Sequence, residues 1–388
     1  MPPSKKTNSK QRPLIKWTGG KYEEFSEFAE LIPTFENYYE PFFGGGGVFF
    51  ALQPNGSAFL NDKSADLISF YRLLQNEEFK IQLEMYASAW EQVTDLSTLL
   101  IQKLIEAFEQ LINGAIYKDA LEKIVSTSIR EVDEPRYFPL FDPGFIIDVA
   151  AFKKALVKSL TDKCRRIYNI QLAEKKIFSN EELKQHLETG IKSGLYLYLR
   201  NISNKIAAGT VKIPVEKAIA NWYFVREFCY ASMFRFNKKG GFNIPYGGIA
   251  YNCKNFRTKV NAITSGSTAA LFKRASFYNL DFQQFLEQAN PNREDFVFLD
   301  PPYDSEFSEY DQNVFTKDDQ VRLRDVIVKC KAKCMVVIKE TEFIKELYEG
   351  EPFTIIDFDK TYTYNVRGRN NRGTRHLIIL NYPAIDKL

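Results

Sequence analysis

Four consecutive residues, Asp300-Pro301-Pro302-Tyr303, follow the apolar run Phe296-Val297-Phe298-Leu299 and combine groups able to hold an amine. The Asp300 carboxylate accepts one hydrogen of an exocyclic amine, and the Pro301 carbonyl accepts the other. Two successive prolines stiffen the turn, so both acceptors stay aimed. Tyr303 offers a ring that stacks on a planar base. An amine held this way has its nitrogen lone pair turned away from the base ring and toward an electrophilic methyl group.

A second constellation begins at Glu40-Pro41-Phe42-Phe43 and continues into Gly44–Gly47. Glycines allow a sharp turn and close approach of a ligand, while a following helix presents free N–H groups. The spacing does not match the dinucleotide fingerprint. Glu40 favours a ligand that carries an ammonium over one that carries a pyrophosphate. Asp62 closes the next apolar run, where doubly wound sheets bind ribose hydroxyls. The same carboxylate would also serve as a helix N-cap.

The elements that must position these residues follow from the pattern. Tyr38–Phe43 reads as a strand, Val48–Leu52 as a helix, Ala58–Leu60 as a strand and Ser64–Leu74 as a helix. This alternation calls for a parallel sheet with helices on its faces, an α/β fold whose ligands sit at the carboxyl ends of strands. The texture returns after residue 270. Strands are expected at Ala275–Asn279, Phe296–Leu299 and Met335–Ile338, with helices at Asp281–Gln288 and Val321–Lys331. Phe353–Phe358 and His376–Leu380 read as two last strands around an arginine-rich loop.

Between them, Phe79–Trp90, Leu99–Leu111, Ala151–Cys164 and Glu181–Leu199 are amphipathic, and Glu134–Gly144 interrupts them with prolines. That stretch predicts a mostly helical insertion. Paired glycines between aromatic runs in Phe234–Gly248 predict a hairpin or looped arm.

The chain has 388 residues, of which 45% are hydrophobic and 26% charged, enough for a sizeable core and against wholesale disorder. No run approaches the roughly 18 apolar residues of a membrane span. The N-terminus is polar and basic, unlike a secretory signal. The five cysteines are odd in number and irregularly spaced, which fits reduced thiols in a cytoplasm. Only two histidines accompany them, so no metal site is expected. Net charge is only +3. Basic residues nevertheless cluster at Lys153–Arg166 and at Arg367, Arg369, Arg372 and Arg375, an arrangement suited to phosphate contact.

Taken in order, KWTGGK (Lys16–Lys21), EPFFGGGG (Glu40–Gly47), LNDKSADLISFY (Leu60–Tyr71), YASMFRFNKKGGFNIPYG (Tyr230–Gly247), DPPY and the arginine-rich loop resemble the N6-adenine DNA methyltransferases of the Dam type. The resemblance covers roughly residues 12–76 and 228–383. It implies a Rossmann-like methyltransferase domain with a mostly parallel seven-stranded sheet, built from residues 13–76 and 270–388 after a basic tail over 1–12. A helical target-recognition insertion over 77–269, with an arm at 228–248, would complete the chain.

The resemblance also implies S-adenosylmethionine as cofactor, no metal, and double-stranded DNA as partner. Trp17 and Lys21 would enclose the cofactor, with Lys21 near its carboxylate. Glu40 would sit near the methionine portion, beside Phe42, Gly44 and Gly46. Asp62 would hold the ribose, and Asp281 and Phe282 would flank the adenine. Asp300, Pro301, Pro302 and Tyr303 would bind the target base, with Asp300 close to the cofactor as well. DNA contacts are expected from Lys16, Tyr230, Arg235, Asn237, Lys238 and Tyr246, and from Arg367, Arg369 and Arg372. The base would be extruded from the duplex and its amine would attack in line, without a covalent enzyme intermediate. A monomer or weak dimer, with a cognate restriction endonuclease in the same system, completes the expected partners.

Two departures stand out. The family's arm commonly carries Tyr-Asn-Gly, whereas Tyr230 here is followed by Ala231-Ser232, and the insertion is longer than in compact members. A GATC target therefore does not follow. Methylation of cytosine N4 or of RNA adenine, or an inactive DNA-binding protein, are the alternative readings. The first more usually has Ser in place of Asp300.

Overall fold

The computed structural model describes residues 11–233, 235–237, 240–303, 315–361 and 373–384. The chain divides into two compact units, one formed by Met1–Arg72 with Gly266–Leu388 and the other by Leu73–Ser265.

The first unit holds a seven-stranded sheet. Its strands are β1 (Tyr38–Glu40), β2 (Ala58–Asn61), β3 (Ala275–Tyr278), β4 (Phe296–Leu299), β5 (Lys333–Lys339), β6 (Thr354–Thr361) and β7 (Gly373–Leu380). They lie in the order β3-β2-β1-β4-β5-β7-β6. The pairs joining β1 through β5 are parallel. Strand β7 runs antiparallel to both β5 and β6. Every residue of β1 and β4 is buried, as expected of central parallel strands covered on both faces. Tyr39, Val297, Leu299, Val336 and Ile338 form one core with Phe285. Each such side chain contributes about 1.5–3 kcal/mol by leaving water. Strand order reverses between β1 and β4, which marks their carboxyl ends as the ligand-binding crevice of the sheet.

The second unit is helical. Its helices are Glu77–Ile112, Lys118–Arg130, Val149–Glu174, Asn180–Ala207, Val215–Phe228 and Phe256–Thr264. Phe79–Trp90 and Leu99–Leu111, which read as separate amphipathic stretches, belong to one 36-residue helix. Val93, Leu96 and Ser97 are buried between them and carry the apolar stripe across the polar interval at helical spacing. Asn76 starts this helix by accepting the Phe79 N–H, with Glu77 and Glu78 favourably placed against the dipole. Ser179 and Glu182 form a capping box at the start of Asn180–Ala207. Lys118–Arg130 and Val215–Phe228 had no clear signature in the sequence. The second of these is buried almost all round, so it lacks the polar face that would announce a helix.

No helix among the described residues is long and apolar enough to cross a membrane. No group of three or more His, Cys, Asp or Glu among them could hold a metal ion.

Candidate active site

The crevice between the ends of β1 and β4 gathers acidic groups. Glu40 ends β1, Asp62 follows β2 and Asp300 follows β4. Glu40 is only 2% exposed, and the Tyr38 hydroxyl donates to its Oε2 at 2.8 Å. Burial pushes the Glu40 carboxyl well above the usual carboxylate range. The Tyr38 hydrogen bond offsets part of this, while the charges of Asp300 and Asp62 push further upward. A cavity wall of this kind favours a cation and disfavours a phosphate.

The segment ahead of β1 closes over the glycine turn. A Cβ at Gly44, whose φ is +51°, would meet Trp17 Cδ1 at 2.8 Å, and one at Gly47 would meet the Tyr22 nitrogen at 2.8 Å. Gly46 has φ +68°, and a Cβ there would strike the Phe43 ring. These glycines thus permit the chain's own close packing. Lys16 is exposed beside this contact and Trp17 is half-buried.

Lys21 is 1% exposed, and its ammonium donates to Gly19 O at 3.0 Å, Asp300 Oδ1 at 2.5 Å and Tyr303 Oη at 3.4 Å. An ammonium has three donors, and all three are used within the chain. The expected contact to a cofactor carboxylate is not among these bonds. The Lys21 charge is instead aimed at the DPPY segment.

Asp62 also differs from the plain ribose reading. Its Oδ2 accepts the Gly44 N–H and its Oδ1 the Ser64 N–H, each at 2.8 Å, so it fixes the glycine turn and starts a helix. Ribose contact would have to use its remaining lone pairs. Asp281 caps Phe282–Ala289 through the Gln283 N–H and pairs with both terminal nitrogens of Arg322 at 2.7 and 2.9 Å. Burial opposes the charge, but Arg322 and the Gln283 N–H outweigh it and hold the Asp281 carboxyl below its usual range. Phe282 is buried, with the Arg322 guanidinium 4.4 Å from its ring centroid, so that ring is already covered by a cation. Phe42 is more exposed and lies 5.5 Å from Phe282 and 5.7 Å from Phe315.

Three residues missed in the sequence hold these parts together. Buried Asn61 donates to Pro41 O and Leu280 O and accepts the Leu280 N–H, tying the ends of β1, β2 and β3. Gln320, fully buried, donates to Pro302 O at 2.9 Å and pins the proline turn. His376 Nε2 lies 3.2 Å from the Tyr303 hydroxyl. Asn61 and His376 stand at the edges of apolar runs, whereas Gln320 lies in the polar run Lys317–Gln320 and carries no such signal.

In the helical unit, the arm closes through bridges Cys229↔Tyr246 and Phe236↔Phe242. Its return limb is tied to the helix Asn180–Ala207. Asn204 makes a reciprocal pair with the Phe242 backbone, while Tyr196 and Arg200 donate to Ile244 O. Tyr230, Arg235 and Asn237 are exposed. Tyr246, expected at DNA, is turned inward. It is 6% exposed, packs between Trp90 and Tyr196, and donates its hydroxyl to Asn252. Within the mid-chain basic cluster, Lys153 pairs with Glu134 and Arg165 with Glu122. Lys238, Arg367, Arg369 and Arg372 lie outside the described residues.

Residues 17–114 and 118–364 match the family model described as D12 class N6 adenine-specific DNA methyltransferase. The chain is 26% identical over 381 residues to the Type II methyltransferase M.CviBI of Paramecium bursaria Chlorella virus NC1A, covering 96% of this chain and 100% of that protein. It is 24% identical over 390 residues to the Type II methyltransferase M.MjaIII of Methanocaldococcus jannaschii, covering 96% of this chain and 99% of the relative. Similarity to the DNA adenine methylase of Vibrio cholerae serotype O1 is 24% over 241 residues, or 60% of this chain and 82% of the relative.

Proposed function

The chain belongs to the D12 class of N6-adenine-specific DNA methyltransferases, and from that premise we propose how its residues carry the reaction. Its substrate is DNA and its family uses S-adenosylmethionine. The acidic crevice fits a cofactor bearing both an ammonium and a sulfonium, because Glu40 is buried and raised by Asp300 and Asp62 until a cation compensates it. S-adenosylmethionine supplies, when bound, an electrophilic methyl group on sulfur.

The chain's own part is positioning. Asp300 and the Pro301 carbonyl accept the two amine hydrogens of an extruded adenine, and Tyr303 stacks on its ring. As the amine nitrogen bonds to the methyl carbon and the carbon–sulfur bond breaks, the nitrogen gains positive character, which the Asp300 carboxylate stabilises until one amine proton is lost to solvent; no covalent bond to the enzyme forms. Lys21 holds one Asp300 oxygen and Gln320 holds the proline turn, so the acceptors stay aimed between turnovers. Phe42 forms an apolar wall of the cofactor pocket, and Asp281, fixed by Arg322, borders it. The exposed arm residues Tyr230, Arg235 and Asn237 read or grip duplex DNA.

The observation that carries this reading is the Lys21–Asp300 contact beside buried Glu40 at the switch point of the sheet. Two relatives are named Type II methyltransferases, which supports a role as the modification partner of a restriction endonuclease.

The test uses purified protein, methyl-labelled S-adenosylmethionine and duplex DNA digested to nucleosides. Label should appear in N6-methyldeoxyadenosine, and Asp300→Asn should lower the rate by about 100-fold while retaining DNA binding. Label in N4-methylcytosine, or an undiminished Asp300→Asn, would overturn the assignment.

A further inference from the structure

We propose that His376 is a positioning residue that orients Tyr303 through its phenolic hydroxyl. The proposal rests on the reading that the Tyr303 ring stacks on the target base. His376 stands in β7 opposite Lys339 of β5 and Phe358 of β6, and it is fully buried. The residues after it, Leu377 through Leu380, are buried aliphatics. An imidazole in such a strand is costly unless it is hydrogen-bonded, and its Nε2 reaches the Tyr303 hydroxyl.

The phenolic hydroxyl is contacted from two sides. Lys21 Nζ lies 3.4 Å from the Tyr303 hydroxyl, and His376 Nε2 lies 3.2 Å from it. An ammonium only donates, so the phenolic oxygen accepts from Lys21, while the phenol and Nε2 share one hydrogen that either side can supply. The two rings meet edge-on, with centroids 5.9 Å apart at 68°, and Phe358 backs the imidazole at 5.7 Å. Tyr303 is thereby held at both ends. The rigid proline turn fixes its backbone, and Lys21 and His376 fix the hydroxyl. A stacking ring needs this, because a displacement of about 1 Å at a positioning group costs up to 100-fold in rate.

The rival is a buried histidine that only fills the sheet. The experiment compares His376→Phe, His376→Gln and His376→Asn, each alone and with Tyr303→Phe, by kcat and KM on duplex DNA, cofactor binding and thermal melting. Gln places an amide group, able to donate or to accept, near the Nε2 position, whereas Asn falls short. His376→Phe and His376→Asn should each lower kcat by about tenfold with cofactor affinity unchanged. His376→Gln should stay within about threefold of the parent, and no His376 variant should lower kcat further in the Tyr303→Phe background. The proposal is overturned if His376→Phe keeps the parental kcat, if Gln and Asn behave alike, or if the loss persists without the phenolic hydroxyl. Should His376→Phe fail to fold, the contrast between Gln and Asn decides. Tyr303→Ala separates the two ideas. Full activity there sinks the stacking role itself, whereas a dead Tyr303→Ala beside an active His376→Phe sinks only the positioning role.

Discussion

Lys21 Nζ lies 2.5 Å from Asp300 Oδ1 although 279 residues separate the two in sequence. The lysine side chain is 1% exposed and the aspartate 18%. A pair so far from water contributes little net energy when intact, but removing one partner strands the other.

Asp300→Ala is therefore expected to lose stability as well as activity. The cost should be about 3 kcal/mol, at the low end for a broken buried pair because Asp300 keeps some exposure. Asp300→Asn keeps the shape, and Lys21→Met combined with Asp300→Asn should recover most of the loss. Urea unfolding of the three variants measures this. Equal stability of Asp300→Ala and the parent would show that the pair does not hold the site together.

Glu40 gives a pH dependence with a definite sign. Its folded-state carboxyl is raised, first by burial and then by Asp300 and Asp62. The folded protein thus keeps a proton that the unfolded chain releases near pH 4.3. Stability from this group is complete below that pH and declines as pH rises through the raised value. Glu40→Gln should flatten the decline that sets in above about pH 4.3. It should also lose cofactor affinity, since a neutral amide no longer compensates a cation. Parallel stability slopes for the variant and the parent would remove Glu40 as the titrating group.

The parts of the site that lie on one short stretch of chain were legible in advance. Strand, glycine turn, Asp62 and Asp300-Pro-Pro-Tyr303 are local patterns, and the alternation of elements fixes a parallel sheet that brings their ends together. Partners that meet only through the fold were not legible. The Lys21–Asp300 contact is one such case, since nothing near Lys21 in sequence reveals Asp300. His376 read simply as the first residue of an apolar strand. Tyr246 sits among aromatic and basic residues that suggest a DNA face, yet its strand turns the ring between Trp90 and Tyr196. Alternation in a looped arm does not say which side faces the helices.

The Tyr230-Ala231-Ser232 turn carries backbone strain. Ala231 has φ 54° and Ser232 φ 52°, in the left-handed region where a Cβ is costly. These are the positions where the family commonly has Asn-Gly, residues that tolerate this region. Ala231→Gly should stabilise the protein by about 1 kcal/mol after allowing for the greater freedom of glycine when unfolded. Chemical denaturation measures it, and a destabilised Ala231→Gly would mean that the methyl group packs usefully enough to offset the strain.

The arm supplies the last prediction. Arg235 is exposed on a limb whose return strand is anchored by Asn204, Arg200 and Tyr196 of one helix. If Arg235 meets a phosphate, Arg235→Ala should weaken binding equally on all sequences and reduce the salt slope by about one. If it reads a base, the slope should stay nearly the same while one position of the recognition site relaxes, at a cost of about 1–3 kcal/mol. Asn204→Ala frees the return limb without removing a charge, so it should weaken DNA binding with the salt slope unchanged. Binding titrations at several salt concentrations, on specific and random duplexes, separate these outcomes. An Arg235→Ala protein with the parental affinity, slope and site preference would take the arm out of the interface.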